Sequence, residues 1–159
     1  IIHPKNAATM MVFVMDFLDK YTLLDHDLVG KEVVSNDIAK GLGEFMGKTH
    51  AATHSSKVSE TRAEYLIERF ENRPMRDIQL EYVFTKCYKE ATAEQRAGLN
   101  VDEAFMNEIE ELKAAYNGAD KDNLSLCHGD LHPGSIMVHG SDVKVIDPEF
   151  TVYATPGLD

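Results

Sequence analysis

The chain has 159 residues, with 16 Lys and Arg against 27 Asp and Glu, and the resulting net charge of −11 repels phosphate backbones and anionic membrane surfaces. Neither nucleic acid nor membrane is therefore expected as a partner, and the length suits one domain with a sizeable core or most of a larger one cut short. Cys87 and Cys127 are too few and too far apart for a disulfide framework or a thiolate zinc site, which fits a reducing cytoplasm.

In chain order, Met10-Met-Val-Phe-Val-Met15 is the longest apolar run. It falls far short of the about 20 residues that a membrane helix needs, and it reads as a strand buried on both faces. No signal-peptide pattern opens the sequence. Asp16 to Asp27 turn polar. From Ser35, an N-cap, Ile38, Leu42, Phe45, Met46 and Thr49 recur at helical spacing. Gly41, Gly43 and Gly47 weaken that helix, so it is expected in the core with close neighbours. His50 and His54 lie i, i+4 on it, a metal-capable spacing, but no Glu follows His50 and the pair reads as a solvated face.

Ser59 caps a second helix whose Ala63, Leu66, Ile67 and Phe70 share a face, with Asn72 to Pro74 ending it. Ile78 to Tyr88 form a third, short segment. Asn100-Val-Asp-Glu103 has the capping-box pattern, and Val101, Phe105, Ile109, Leu112 and Tyr116 then make an apolar stripe closed by Gly118. The acidic residues Asp102, Glu103, Glu108, Glu110 and Glu111 read as the solvent side of this helix. Asn117 to Asn123 is a polar linker.

The most chemical stretch is Leu126 to Phe150, LCHGDLHPGSIMVHGSDVKVIDPEF. Ile136 to His139 and Val143 to Ile146 read as the strands of a hairpin turned at His139-Gly-Ser-Asp142. One acidic loop, His128-Gly129-Asp130-Leu131-His132-Pro133-Gly134-Ser135, precedes it and another, Asp147-Pro148-Glu149, follows it. Both leave the same end of the hairpin. Phosphoryl transfer needs a carboxylate at the acceptor hydroxyl and oxygen ligands for a divalent ion. Asp130 suits the first role; Asp147 and Glu149, two apart around a rigid proline, suit the second, with Ser135 adding a hydroxyl oxygen. Hard oxygen donors without Cys favour Mg2+ over zinc.

HGDLHPGSIM followed by KVIDPEF resembles the catalytic and metal loops of the methylthioribose kinase family, whose pattern is close to HGDLHTGSIM and VIDPEF. That family sits with the choline kinase and aminoglycoside phosphotransferase group on a protein-kinase-like fold. The resemblance implies an α+β large lobe, mostly helical, in which a small hairpin carries the site. Residues 1–18 would close the small lobe and hinge, and residues 19–159 would form a truncated large lobe. It further implies Asp130 as catalytic base, Asp147, Glu149 and Ser135 as metal ligands, and the backbone of Asp16 and Leu18 as nucleotide contacts. His128, Gly129 and His132 would support the substrate or the loop.

The activity implied is ATP-dependent phosphorylation of a small molecule, 5-methylthioribose at its C1 hydroxyl in methionine salvage, with Mg2+, by a cytoplasmic enzyme that is a homodimer at full length. Choline, homoserine or an aminoglycoside is the runner-up acceptor, and a non-catalytic nucleotide-binding module the rival class. A metallophosphoesterase reading of Gly129-Asp130-Leu131-His132 fails for want of its companion motifs. The chain opens with Ile1 and closes at Asp159 soon after its site, and it holds no phosphate-covering loop or lysine before Met10. We therefore expect a fragment of a longer enzyme, inactive or nearly so in isolation.

Overall fold

The computed structural model describes residues 14–30 and 35–159. Its architecture is α+β. In chain order come β1 (Thr22–Leu23), α1 (Leu24–Gly30), α2 (Asn36–Thr53), α3 (Glu60–Arg69), α4 (Arg73–Glu81), a π turn (Tyr82–Lys86), the single turn α5 (Cys87–Lys89) and α6 (Glu103–Tyr116). Then follow β2 (Ser125–Cys127), β3 (Ile136–His139), β4 (Asp142–Val145) and β5 (Val152–Ala154). Among the described residues no helix is long and apolar enough to cross a membrane.

The expected hairpin forms. β3 and β4 pair antiparallel with Ile136 opposite Val145 and His139 opposite Asp142, and the two-residue turn places Gly140 at φ +62°. One further ladder bond, from the Ile146 N–H to the Ser135 carbonyl at 2.9 Å, carries the pairing to the mouth of both acidic loops. Two features go beyond the sequence reading. β1 adds to the free edge of β3, and β2 pairs with β5, Cys127 opposite Val152, in a separate two-stranded sheet. These strands have two or three residues each, too short to show a period.

The helices start largely where capping chemistry places them. Ser35 accepts from the Ile38 N–H and Ser59 from the Arg62 N–H, each at 3.3 Å. In α6 the cap is Asp102, which accepts from the Phe105 N–H at 3.0 Å, while Asn100 only donates to the Asp102 carboxylate. Val101 thus lies outside the helix. The third segment begins earlier than expected, at Arg73, because Asn72 reverses the chain in the left-handed region (φ 43°) and Pro74 sits in the first turn. It opens into a π turn where the Thr85 hydroxyl bonds the Leu80 carbonyl at 2.7 Å.

The run Met10–Met15 falls mostly outside the described residues. Its last two, Val14 and Met15, lie in no strand and are 80% and 81% exposed, so the expectation of a buried strand does not hold for them.

Among the described residues, three small apolar clusters hold the body together. Leu24, Ile38, Ile136 and Val138 join α1 and α2 to the hairpin; Tyr116, Cys127, Val152 and Ala154 join α6 to the β2–β5 sheet; Leu66, Leu124 and Tyr153 pack α3 beneath that sheet. Of the α2 glycines, Gly41 has a packing reason, since a Cβ there would sit 3.0 Å from Val143 Cγ2. The end of α2 is stitched to the second sheet by side chains. Thr53 Oγ1 accepts from the Leu126 N–H (2.9 Å), and the Tyr153 hydroxyl donates to the Thr53 carbonyl (2.8 Å).

Leu66 is 1% exposed, so Leu66→Ala should lower unfolding free energy by roughly 2–5 kcal/mol. A Cβ at Gly43 meets nothing within 4 Å, so Gly43→Ala should raise it by about 0.5–1 kcal/mol through helix propensity. Urea denaturation of both variants checks the pair.

Candidate active site

Asp130 stands at the centre of a loop whose backbone is held almost entirely by side chains. The Asp159 carboxylate accepts two consecutive amides, His128 N–H on Oδ2 and Gly129 N–H on Oδ1, both at 2.9 Å. The third amide, Asp130 N–H, goes to His128 Nδ1 at 3.3 Å. The Asp130 carbonyl accepts from the Ser135 hydroxyl at 3.1 Å. With its backbone so occupied, Asp130 keeps a carboxylate that is 49% exposed, and its one ionic neighbour among the described residues is His132 Nε2 at 3.7 Å.

His128 acts as a brace, and its tautomer follows from its partners. Nε2 lies 2.8 Å from the Ile146 carbonyl, which only accepts, so Nε2 carries the proton and Nδ1 is free to accept from Asp130. This one ring ties the Asp130 loop to the chain entering the second acidic loop. The backbones of the two loops also touch. Gly129 has φ +87°, and a Cβ on it would lie 2.2 Å from the Phe150 carbonyl oxygen, so no side chain fits there.

The second loop is a 3-10 turn, Pro148–Phe150, entered by Asp147 in the left-handed region at φ 59°. An L-residue held there costs of order 1 kcal/mol, a strain seen mainly where a side chain must be aimed. Asn72 buttresses this loop, donating to the Glu149 carbonyl (2.7 Å) and the Thr151 carbonyl (3.1 Å). Asp147 and Glu149 are exposed, and among the described residues their carboxylates have no hydrogen-bond or ion-pair partner. Two free hard-oxygen donors on one turn fit a hard divalent cation that keeps part of its water shell.

Ser135, read as a further metal oxygen, sits differently. It is buried; its hydroxyl proton is shared between the Asp130 and His132 carbonyls, and its oxygen accepts from the His132 N–H at 3.0 Å. With His132 Nδ1 accepting from the Gly134 N–H (3.1 Å), this makes a reciprocal cap of the 3-10 turn Pro133–Ser135. Of the proposed nucleotide contacts, Asp16 is exposed, and the Leu18 carbonyl closes a turn with the Tyr21 N–H (3.1 Å). β1, directly after that turn, pairs with β3, so the Asp16–Leu18 segment is tethered to the hairpin sheet.

His50 corrects the sequence reading. It does not form a solvated face with His54: its Nε2 lies 3.0 Å from Asp159 Oδ2, and the Asp159 side chain is only 2% exposed. Cys127 Sγ completes a group in which the three ligand-type atoms lie within 4.8 Å of one another. Burial and the adjacent Asp159 charge push the Cys127 thiol up to about 12, and the carboxylate is already committed to two amides and an imidazole. The group is a hydrogen-bonded anchor. No spacing rule could have paired His50 with Asp159, which are 109 residues apart.

Gly129→Ala should destabilise the protein by roughly 2–4 kcal/mol, because the added methyl collides with backbone that cannot rotate away; thermal and urea unfolding measure this. The thiols should also separate. Cys127 keeps its proton to higher pH folded than unfolded, so its contribution to stability is complete below about pH 9 and is lost as pH rises toward 12. At pH near 8, iodoacetamide should modify exposed Cys87 and reach Cys127 only in denaturant, as peptide mass mapping would show.

The chain is similar in sequence to known proteins. A family model described as the phosphotransferase enzyme family matches residues 10–159. The chain is 31% identical to the methylthioribose kinase of Escherichia coli O45:K1 (strain S88 / ExPEC) over 158 residues, covering 94% of this chain and 37% of the relative. It is 30% identical to the methylthioribose kinase of Exiguobacterium sibiricum over 166 residues, covering 99% of this chain and 42% of that protein. To the Bacillus pumilus methylthioribose kinase it is 31% identical over 126 residues, 74% and 31% of the two chains. The chain thus spans well under half the length of these relatives, and it carries the two acidic loops on the hairpin described above. By the match of residues 10–159, this chain belongs to the phosphotransferase enzyme family.

Proposed function

We propose that this chain is the large-lobe part of an ATP-dependent small-molecule kinase whose acceptor is the C1 hydroxyl of 5-methylthioribose. The observation that carries the reading is Asp130 itself: an exposed carboxylate on a fully pinned backbone, beside a second loop whose two carboxylates have no partner among the described residues. Similarity to methylthioribose kinases over nearly the whole chain favours that sugar among alcohol acceptors. The net charge of −11 fits a small acceptor better than an anionic polymer. In this reading residues 1–18 complete the small lobe and hinge, and the backbone of Asp16 and Leu18 meets the adenine.

The chemistry assigned to these residues is in-line displacement. Asp130 orients the acceptor hydroxyl and takes its proton as the new oxygen–phosphorus bond forms and the bond from the γ-phosphorus to the β,γ-bridging oxygen breaks, releasing ADP. In this reading His132, beside Asp130, supports the substrate or the loop. Asp147 and Glu149 would hold Mg2+, which supplies charge neutralisation to the phosphates when bound. Ser135, buried and donating its one proton to the loop carbonyls, has as its first duty to hold the Asp130 carbonyl, with a lone pair of its oxygen left over for that ion.

In the complete enzyme, Asp130→Asn should lower kcat by about 100- to 10,000-fold while ATP affinity stays close to wild type, because the lost group acts in the transition state. Asp147→Asn should weaken magnesium-dependent nucleotide binding together with turnover. Steady-state kinetics with methylthioribose and ATP, alongside magnesium–nucleotide titration, separate the two variants. Near-wild-type turnover in Asp130→Asn would sink the base assignment.

A further inference from the structure

Gln79 lies on α4, outside both acidic loops, and it is buried, as is Arg76 one turn before it. A buried side-chain amide has to find partners, and Gln79 finds two. Its Nε2 donates to the Gly129 carbonyl, and its Oε1 accepts from the Tyr116 hydroxyl at the end of α6. The orientation of the amide is not ambiguous. A carbonyl only accepts, so the NH2 group must face Gly129, which leaves Oε1 for the phenol.

Tyr116 is in turn fixed by Arg76. The guanidinium donates to the Tyr116 carbonyl, to the Glu71 carbonyl (3.1 Å) and to the Tyr153 carbonyl (3.4 Å), and it lies 4.8 Å over the Tyr116 ring. Arg76 therefore locks Tyr116, Tyr116 holds the Oε1 end of the Gln79 amide, and Gln79 reaches the loop.

The carbonyl of Gly129 and the N–H of Asp130 belong to one planar peptide unit. Gln79 holds one side of that plane and His128 Nδ1 holds the other. The orientation of this plane sets the direction in which the Asp130 side chain leaves the backbone. We infer that Gln79 is a positioning residue for the Asp130 carboxylate, acting through the Gly129–Asp130 peptide and held in register by Tyr116 and Arg76. This deepens the kinase reading and, for its effect on turnover, rests on it. The clamp on the loop does not rest on it.

Two substitutions test the clamp in the complete enzyme. Gln79→Met keeps the length and volume but can neither donate nor accept. Gln79→Glu keeps an acceptor for Tyr116 but, ionised, presents oxygen to oxygen at Gly129. In both, amide hydrogen exchange in peptides covering residues 127–132 should speed up by about tenfold, the loss expected for one hydrogen bond, while peptides from the β3–β4 hairpin tip keep their wild-type rates. Turnover should fall on the order of 10- to 100-fold with little change in KM for ATP, as for a misplaced reacting group.

A purely structural role for Gln79 would lower the melting temperature and speed exchange throughout the domain instead, and that result overturns the inference. Unchanged exchange at 127–132 in both variants also overturns it. Wild-type protein that transfers no phosphate overturns the kinase reading, and the exchange comparison then still decides the clamp: faster local exchange supports it and unchanged exchange refutes it.

Discussion

Three consecutive amides, those of His128, Gly129 and Asp130, are claimed by side-chain acceptors, two by Asp159 and one by His128. A loop cannot satisfy its own backbone as a helix does, and each buried amide left without a partner costs on the order of 1–3 kcal/mol. The shape of this loop must therefore be imposed by side chains, several of them supplied or held from outside the loop. Here α2 brings His50 to Asp159, α4 brings Gln79 to the Gly129 carbonyl, and the exit of β4 brings the Ile146 carbonyl to His128. Most of the fold near the site can be understood as delivery of those groups.

That arrangement reconciles two demands that usually conflict. A carboxylate that is to meet a substrate must be exposed, yet an exposed side chain on a surface loop is normally mobile. Fixing the backbone instead of the side chain leaves Asp130 accessible while its direction of departure is set. The second loop reaches the same end by other means, through the left-handed Asp147, the rigid Pro148 and the Asn72 side chain beneath Glu149 and Thr151.

The hairpin, the two acidic loops and most helix starts were legible in the sequence because each rests on local chemistry: alternation and a Gly-Ser turn for β3–β4, serine caps for α2 and α3, an Asp-Pro-Glu step after a strand. Asp102 was readable as a cap but was passed over for Asn100, since both are good N-cap residues and only the Phe105 amide decides between them. What could not be read was set by distant neighbours. β2 pairs with β5 across the whole intervening site, and only tertiary packing buries Gln79 and Arg76 and brings His50 to Asp159. Ser135 was legible as a loop hydroxyl, but its role in tying the Asp130 and His132 carbonyls together was not, because that depends on how the loop curves back on itself.

The separations along the chain have a consequence for how the molecule assembles. His50 and Asp159 are 109 residues apart, Gln79 and Gly129 are 50 apart, and His128 and Asp159 are 31 apart. Each such contact closes a long loop before it returns any stabilisation, and topologies rich in them are slow to form. The capped helices and the β3–β4 hairpin are local and can appear early, whereas the Asp130 loop takes its shape only after four remote segments have docked. The Asp130 loop is then the last part to be completed on the way to the native state, and a nascent chain holds that loop unformed until Asp159 has been made and folded in.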